Sequence, residues 1–377
     1  MSNVKLGRKS TAVAAENVDK RTEPGVESDK LSAKHSRVKH WLKRILLGSL
    51  ALLIVLIGFY GWELYSATSE LAGQHNPVKL FATLLPQPLA ESQGRINILL
   101  AGYSIDDPNH AGAQLTDSIM IVSINPKMKT GILLSVPRDL WVRVPGNGYA
   151  KINAAYEYGQ WEHFNQSGYF PGGIGLLEKV LGKIVGLNFN YYSLIDYAAF
   201  RDAVNAVGGI NINIQSPDPR GIYDAFTHLK LPNGNDHLNG QQALALARAR
   251  GDDVAGDISY GIPNSDFTRT MYQRQMLIAV KDKADKVTSL FNPLTFFRLL
   301  EAVEKNVKTN LNIGEMVSLY RDTKNMPSKN IQTIALNDFH GRNLLSNYYV
   351  DGQEALVPTS GPFDYSQIRS AVRQMIN

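Results

Sequence analysis

No cysteine occurs in the 377 residues, which excludes disulfides, thiolate metal sites and cysteine nucleophiles together. The fold must stand on packing alone. Charge imbalance is also slight: the formal net charge is +5, and much of the excess sits before residue 45. The basic segment borders a long apolar run, so its charge belongs beside a membrane, and the chain is not read as a nucleic-acid binder. No internal repeat is found. What is present is a chain long enough to bury a substantial core and hold one large or two ordinary domains, with 44% hydrophobic residues, as in globular proteins.

Residues 1–44 are polar, rich in Lys, Ser and Glu, and end in the basic series Lys34, Arg37, Lys39, Lys43, Arg44. They read as a disordered cytoplasmic tail. Ile45 to Trp62 carries no charge, and as a helix it spans about 27 Å, close to the hydrocarbon thickness of a bilayer. The expectation is one transmembrane helix. Basic residues precede it and Glu63 follows, so the positive-inside rule places the remainder outside the cytoplasm. Ala67-Thr68-Ser69 offers a small-residue cleavage pattern, but the apolar run exceeds a typical signal core and the preceding tail is too long, which favours an uncleaved anchor in the cell membrane. Residues 63–94, with Gly, Pro and Gln and no clear period, read as a linker.

From Arg95 the pattern changes. Ile96 to Ala101, Ser118 to Ile124 and Gly131 to Val136 read as strands, the last two joined by a turn at Asn125-Pro126-Lys127. Helical periods follow at Ile152 to Tyr158 and Ile174 to Val185, then a strand at Tyr191 to Ile195. Asp196 is a suitable N-cap for a helix over Tyr197 to Val207, closed by Gly208-Gly209 before a strand at Ile210 to Ile214. A long loop covers Gln215 to Asp236. Later helices are expected near Phe267 to Asp285, Pro293 to Asn306, Gly314 to Asn325 and Tyr365 to Met375, with a strand near Ile331 to Leu336. Strands alternating with helices imply an α/β domain with a layered sheet.

The stretch His237 to Gln275 gathers Arg248, Arg250, Arg269, Arg274 and Gln273 around a loop rich in Gly and Asp. Residues two apart on a helix point nearly opposite ways, so Arg248 and Arg250 share a side only if the helix before them runs into extended chain, here expected as a strand. A helix starting at Ser265 or Asp266 puts Asp266, Arg269 and Gln273 on one face. Two arginine pairs and an amide can then converge on a phosphate or pyrophosphate, which guanidinium forks bind bidentately. The competing reading is a solvated face with ion pairs to Asp252, Asp253 and Asp257.

Four further clusters stand elsewhere. The loop Gly102 to Asp117 carries Asp106, Asp107 and Asp117, oxygen donors suited to Mg²⁺ or to an ordinary acidic turn. Ser135-Val136-Pro137-Arg138-Asp139 ends a strand, a usual ligand position, although Arg138 and Asp139 can also pair with each other. Lys151-Ile152-Asn153-Ala154 opens a helix. Tyr156, Tyr158, Trp161, Phe164, Tyr169 and Phe170 form an aromatic insert, either a lid or sugar platform or loop core.

These pieces together resemble the LytR-CpsA-Psr family, bacterial enzymes that attach lipid-linked glycopolymers to the cell wall. The matching segments are Asn97 to Gly102, Thr116 to Met120, Ser135 to Asp139, Lys151 to Tyr156, Val207 to Ile210, Leu238 to Leu244, Arg248-Ala249-Arg250, and Asp266 to Arg269 followed by Gln273. The resemblance implies a three-layer α/β/α domain over residues 95–377, motif-bearing in 95–285. It implies that Arg138, Lys151, Arg248, Arg250, Arg269 and Gln273 hold the pyrophosphate of a polyprenyl-linked glycopolymer, with Asp117 toward a Mg²⁺ ion and Arg138, Asp117 and Asp139 at the reacting centre. The carrier tail would lie in a tunnel between sheet and helices, lined by faces such as Ile174 to Val185. A hydroxyl of peptidoglycan would attack the sugar-linked phosphate; as general base, Asp139 and Asp117 both remain open. The chain departs from the family twice, with Ser104 in place of a usual Asp and Leu115 in place of a usual Arg. Those losses weaken the metal site and the phosphate clamp, leave Asp106 or Asp107 to substitute, and keep open a non-catalytic, membrane-anchored glycolipid-binding protein.

Overall fold

The structure is a computed structural model describing residues 85–104, 114–263, 265–289 and 307–376. These belong to one unit, Ser66–Asn377. The tail 1–44, the apolar run Ile45 to Trp62, Asp106, Asp107 and the helix expected near Pro293 to Asn306 lie outside the described residues. Among the described residues no helix is long and apolar enough to cross a membrane.

The chain opens with β1 (Ile96–Tyr103), β2 (Thr116–Asn125) and β3 (Thr130–Val136), then the hairpin of β4 (Trp141–Val144) and β5 (Gly148–Lys151). Helices α1 (Ala154–Trp161) and α2 (Gly173–Val185) follow, then β6 (Tyr191–Ile195), α3 (Tyr197–Ala206) and β7 (Ile210–Ile214). Short strands β8 (Ile222–Asp224), β9 (Leu229–Leu231) and β10 (Gly234–Leu238) lead to α4 (Gly240–Arg248) and α5 (Ser265–Ser289). The C-terminal part holds β11 (Val307–Thr309), α6 (Ile313–Thr323), β12 (Ile331–Ala335), the hairpin of β13 (Leu345–Val350) and β14 (Gln353–Pro358), and α7 (Ser366–Ile376).

Six strands form a mixed central sheet in the order β11-β6-β1-β2-β3-β12. β1, β2 and β3 are antiparallel neighbours, while β6 joins β1 and β12 joins β3 in parallel. Side chains alternate across a strand, and here that alternation divides the molecule. Leu99, Ala101 and Tyr103 of β1 enter a core with Leu176, Leu177 and Leu181 of α2 and with Ile368 of α7. Leu100 and Gly102 turn the other way, toward a cavity under α3, α4 and α5. A second core joins those helices to β7, β8 and β9 and contains no residue of the six-stranded sheet. Helices thus flank both faces of the sheet, and between the sheet and the second core space is left open.

Local signals explain the helix ends. Asp196 accepts a hydrogen bond from Ala199 N at 2.8 Å and starts α3; Asn239 and Gln242 form a capping box at α4. α2 stops at Gly186, whose φ of 75° is left-handed, a conformation that costs glycine little.

Two expectations are corrected. Ile174 to Val185 does not line the open space: Ile174, Leu177, Val180, Leu181 and Ile184 are buried in the core on the opposite face of the sheet. No strand directly follows α4, the next element being α5, although the α4 C-cap Ala249 is extended, with φ −60° and ψ 125°. The hairpins β4/β5, β8/β9 and β13/β14 were not legible: strands of three or four residues such as β5 and β8 are too short to display a period, and β13, six residues long, has no inward and outward alternation, being exposed over four successive residues. The aromatic insert is chiefly core: Tyr156 is buried and Phe164 and Phe170 pack against it, while Trp161 is exposed.

Candidate anion and lipid cavity

The open space is a cavity of about 240 Å³. Leu100, Met120, Phe200, Leu244 and Leu277 make up its apolar part, the body, and Asp117, Arg138, Arg248, Arg250, Arg269 and Gln273 its charged and polar part, the mouth. The mouth lies where β1 and β6 end and β2 begins, since Gly102 pairs with both Ser118 and Ile195. A Cβ at position 102 would meet the Ser118 Cβ at 3.2 Å, so glycine suits this close approach of strands.

Arg248 is the last residue of α4, and the extended Ala249 lets Arg250 reach the same cavity. The required change from helical to extended geometry is present without a strand. The Arg248 guanidinium lies 4.6 Å from the Tyr197 ring centre and 5.5 Å from that of Phe226, close enough for cation–π attraction. Arg250 Nε stands 3.4 Å from Asp252. On α5, Arg269 meets Asp266 at 2.5 Å and donates to the Asp117 carbonyl at 2.9 Å. Gln273 accepts from Ser118 Oγ at 2.8 Å and donates to the Ala247 carbonyl at 2.9 Å, tying β2 to α4.

Arg138 is paired to Asp117 at 2.7 Å, with its Nε 3.3 Å from Asp266 and 3.7 Å from Asp139. Burial pulls this guanidinium down, but Asp117, Asp266 and Asp139 outweigh it and the net shift is upward. Burial dominates at Arg269, which is held below the ordinary arginine value despite Asp266. The Nε atoms of Arg138, Arg250 and Arg269 are buried without a hydrogen bond, as is that of Arg274 away from the cavity, although Arg138 Nε faces Asp266 at 3.3 Å and Arg250 Nε faces Asp252 at 3.4 Å. Buried donors normally have partners, and an anion in the mouth would add oxygens to this set.

Three expected residues lie outside the cavity lining, although Asp139 is also the carboxylate 3.7 Å from Arg138. Lys151 and Asp139 pair with each other at 2.7 Å and do not line the cavity. Arg274 is also absent from the lining; it donates to Ser135 Oγ at 2.8 Å, and burial pushes it down to about 10. The four-arginine convergence therefore consists of Arg138, Arg248, Arg250 and Arg269. Sequence reasoning missed Tyr197, Phe226 and Asp224, all on the cavity wall. Tyr197 was accessible to it, being the first residue after the N-cap that follows a strand end.

Among the described residues no three His, Cys, Asp or Glu side chains cluster as a metal site. Asp117 borders the cavity. Ser104 is 1% exposed and sits beside Tyr197, yet its Oγ makes no hydrogen bond of full geometry. Burial raises the Tyr197 hydroxyl against the opposing charge of Arg248, and the charge of Asp117 adds to the rise, so Ser104, Tyr197 and Asp117 share one corner.

The LytR_cpsA_psr family model matches residues 59–359. A Bacillus mycoides (strain KBAB4) protein named polyisoprenyl-teichoic acid--peptidoglycan teichoic acid transferase TagU is 30% identical over 285 residues, covering 74% of this chain and 82% of that protein. Bacillus subtilis (strain 168) TagV, named for the same activity, is 28% identical over 302 residues, covering 78% and 70%. Among solved structures, the LytR-CPS2A-psr family protein YwtF (TagT) with bound octaprenyl pyrophosphate lipid superposes with a TM-score of 0.52 at 20% identity, covering 76% of this chain and 92% of that one.

Proposed function

The chain belongs to the LytR-CpsA-Psr family, and from that membership we propose that it is a phosphotransferase moving a glycopolymer from a polyprenyl pyrophosphate carrier to a peptidoglycan hydroxyl. The observation that carries the proposal is the joining of an apolar cavity body to a mouth lined by Arg138, Arg248, Arg250 and Arg269. A lipid pyrophosphate has the same two-part chemistry. The arginines hold phosphate oxygens, and Leu100, Met120, Leu244 and Leu277 receive the first isoprenoid units.

In the reaction the acceptor hydroxyl oxygen bonds to the sugar-linked phosphorus. The bond to the bridging oxygen breaks, and polyprenyl phosphate leaves with the electron pair. The hydroxyl proton passes to a base or to the departing phosphate. Such transfers depend chiefly on alignment and charge stabilisation, which preorganised guanidinium groups provide. Both candidate bases are ion-paired, Asp117 to Arg138 and Asp139 to Lys151, each at 2.7 Å, and of the two Asp117 borders the cavity.

A weakly held Mg²⁺ accepts a single protein carboxylate when phosphate oxygens and water complete its shell, and here that carboxylate is Asp117, whose Oδ1 also accepts from Arg138. Asp117 would hold it, with the Ser104 and Tyr197 hydroxyls at the same corner, and the ion would neutralise phosphate charge. We also assign Ile45 to Trp62 as the membrane anchor, which puts the catalytic domain outside the cytoplasm.

A second reading, a non-catalytic glycolipid-binding protein, draws on Ser104, which stands where the family usually has an Asp and brings no carboxylate to this corner. The deciding experiment incubates the full chain in detergent with a polyprenyl pyrophosphate-linked glycan, peptidoglycan and Mg²⁺. Release of polyprenyl phosphate with glycan joined to peptidoglycan supports the transferase; donor binding without turnover supports the binding protein.

A further inference from the structure

Asp224 ends β8, lines the cavity and is 1% exposed. Its Oδ1 accepts hydrogen bonds from the main-chain N–H groups of Arg250 at 2.9 Å and Gly251 at 2.8 Å. Its Oδ2 accepts from Thr227 N at 2.8 Å and Thr227 Oγ1 at 2.7 Å. One carboxylate therefore closes the turn from Asp224 to Thr227 and pins the chain just beyond the end of α4. The same turn carries Phe226, whose ring lies against Arg248.

Outside, the turn is held by a second loop. Ala225 N–H donates to Ser259 Oγ at 2.8 Å, and Tyr223 and Tyr260 exchange main-chain hydrogen bonds of 2.9 Å. Gly251 is left-handed at φ +75°, and a Cβ there would lie 3.1 Å from the Ile262 Cβ and carbonyl oxygen, so the residue after Arg250 is restricted as well. An extended segment with no strand partner has little intrinsic order, and an arginine on it loses affinity to its own freedom. Here the freedom is removed by donors converging on a group that only accepts.

We propose that Asp224 is a positioning residue, which sets Arg250 through its main chain and Arg248 through Phe226 to receive a pyrophosphate. The inference rests on the pyrophosphate reading above and adds what fixes the geometry of the clamp. An acceptor-only carboxylate is required: in Asp224→Asn the amide NH₂ would confront either the Thr227 pair or the Arg250 and Gly251 pair of donors.

The test is a double-mutant cycle with the full chain in detergent, titrating geranylgeranyl pyrophosphate and geranylgeranyl monophosphate by calorimetry. Asp224→Asn should weaken pyrophosphate binding by about tenfold, the worth of one charge-assisted hydrogen bond, and weaken monophosphate binding less. In an Arg250→Ala background the same change should cost about threefold or less, because Asp224 acts largely through Arg250. Equal losses in both backgrounds would overturn the proposal, since a general structural role does not depend on Arg250. A ligand-free arm separates this idea from the functional reading: amide hydrogen exchange at Arg250 and Gly251 should accelerate in Asp224→Asn, and unchanged exchange overturns it. If wild type binds neither probe, the pyrophosphate reading fails, and the exchange arm still judges whether Asp224 pins Arg250. Should Asp224→Asn not fold, Thr227→Val, which deletes a single donor to Oδ2, should show the same pattern with about a threefold loss.

Discussion

Arg248 and Arg250 reach the cavity from a helix end and an extended residue, and their worth is measurable one side chain at a time. Arg248→Ala and Arg250→Ala should each lower affinity for a polyprenyl pyrophosphate by about tenfold or more, since a charge-assisted hydrogen bond contributes roughly 1.5 to 3 kcal/mol. Calorimetric titration checks this, and unchanged affinity in both variants would reduce them to a solvated charged face. The corner of Ser104, Tyr197 and Asp117 makes a second prediction. Mg²⁺ should bind the ligand-free protein poorly and bind better with geranylgeranyl pyrophosphate present, because the ligand adds oxygens and negative charge. Ser104→Asp should strengthen binding of the free ion and Asp117→Ala should abolish the metal dependence. Mg²⁺ titrations of wild type and both variants decide it; equal binding in wild type and Asp117→Ala would remove the ion from this position. Arg274 was grouped with these arginines because it lies in the same stretch, His237 to Gln275, yet it turns to Ser135 on β3. Adjacent helical residues face different neighbours.

At the scale of elements, α5 and α4 decide how much lipid the cavity admits. Leu277 and Leu244 line its body, one on each helix. Leu277→Trp should fill that space and weaken geranylgeranyl pyrophosphate binding by about tenfold, equivalent to roughly two buried methylenes, while leaving inorganic pyrophosphate unaffected. A parallel loss for both ligands would mean that the tail lies elsewhere. Helix α2, expected to line a tunnel, has a different part. Its Glu178 is buried, and burial pushes the carboxyl up against the opposing effect of the Phe170 N–H, which donates to it at 3.0 Å. A raised acid binds more protons folded than unfolded, so this group's contribution to stability falls as pH rises above the ordinary carboxylate range. Glu178→Gln should therefore melt above wild type at pH 7.5, and the gain should shrink toward pH 4.5; calorimetry at both values is the check, and a gain equal at both would assign it to packing instead.

For the whole molecule, the basic residues Lys34 to Arg44 ahead of the uncharged Ile45 to Trp62 predict that protease added to intact spheroplasts digests the main domain. Complete protection would overturn that topology. The strands β1, β2 and β3, the helices α2 and α3, and the arginine-bearing stretch were legible in sequence because each shows its own period or cap over enough residues to be read. The short hairpins were not, and neither was the face of the sheet that each helix covers. Periodicity states that Ile174, Leu177, Val180, Leu181 and Ile184 form a stripe, but either side of a sheet can bury a stripe. By itself the sequence determined the α/β class, the family, and which arginines were available, since those depend on residue type, order and local spacing. Only the tertiary structure decided that Arg138 lines the cavity beside Arg248, Arg250 and Arg269 while Arg274 and Lys151 do not, and that the Asp224 carboxylate accepts the main-chain N–H of Arg250. Those outcomes depend on strand register and helix packing, which bring together side chains far apart along the chain.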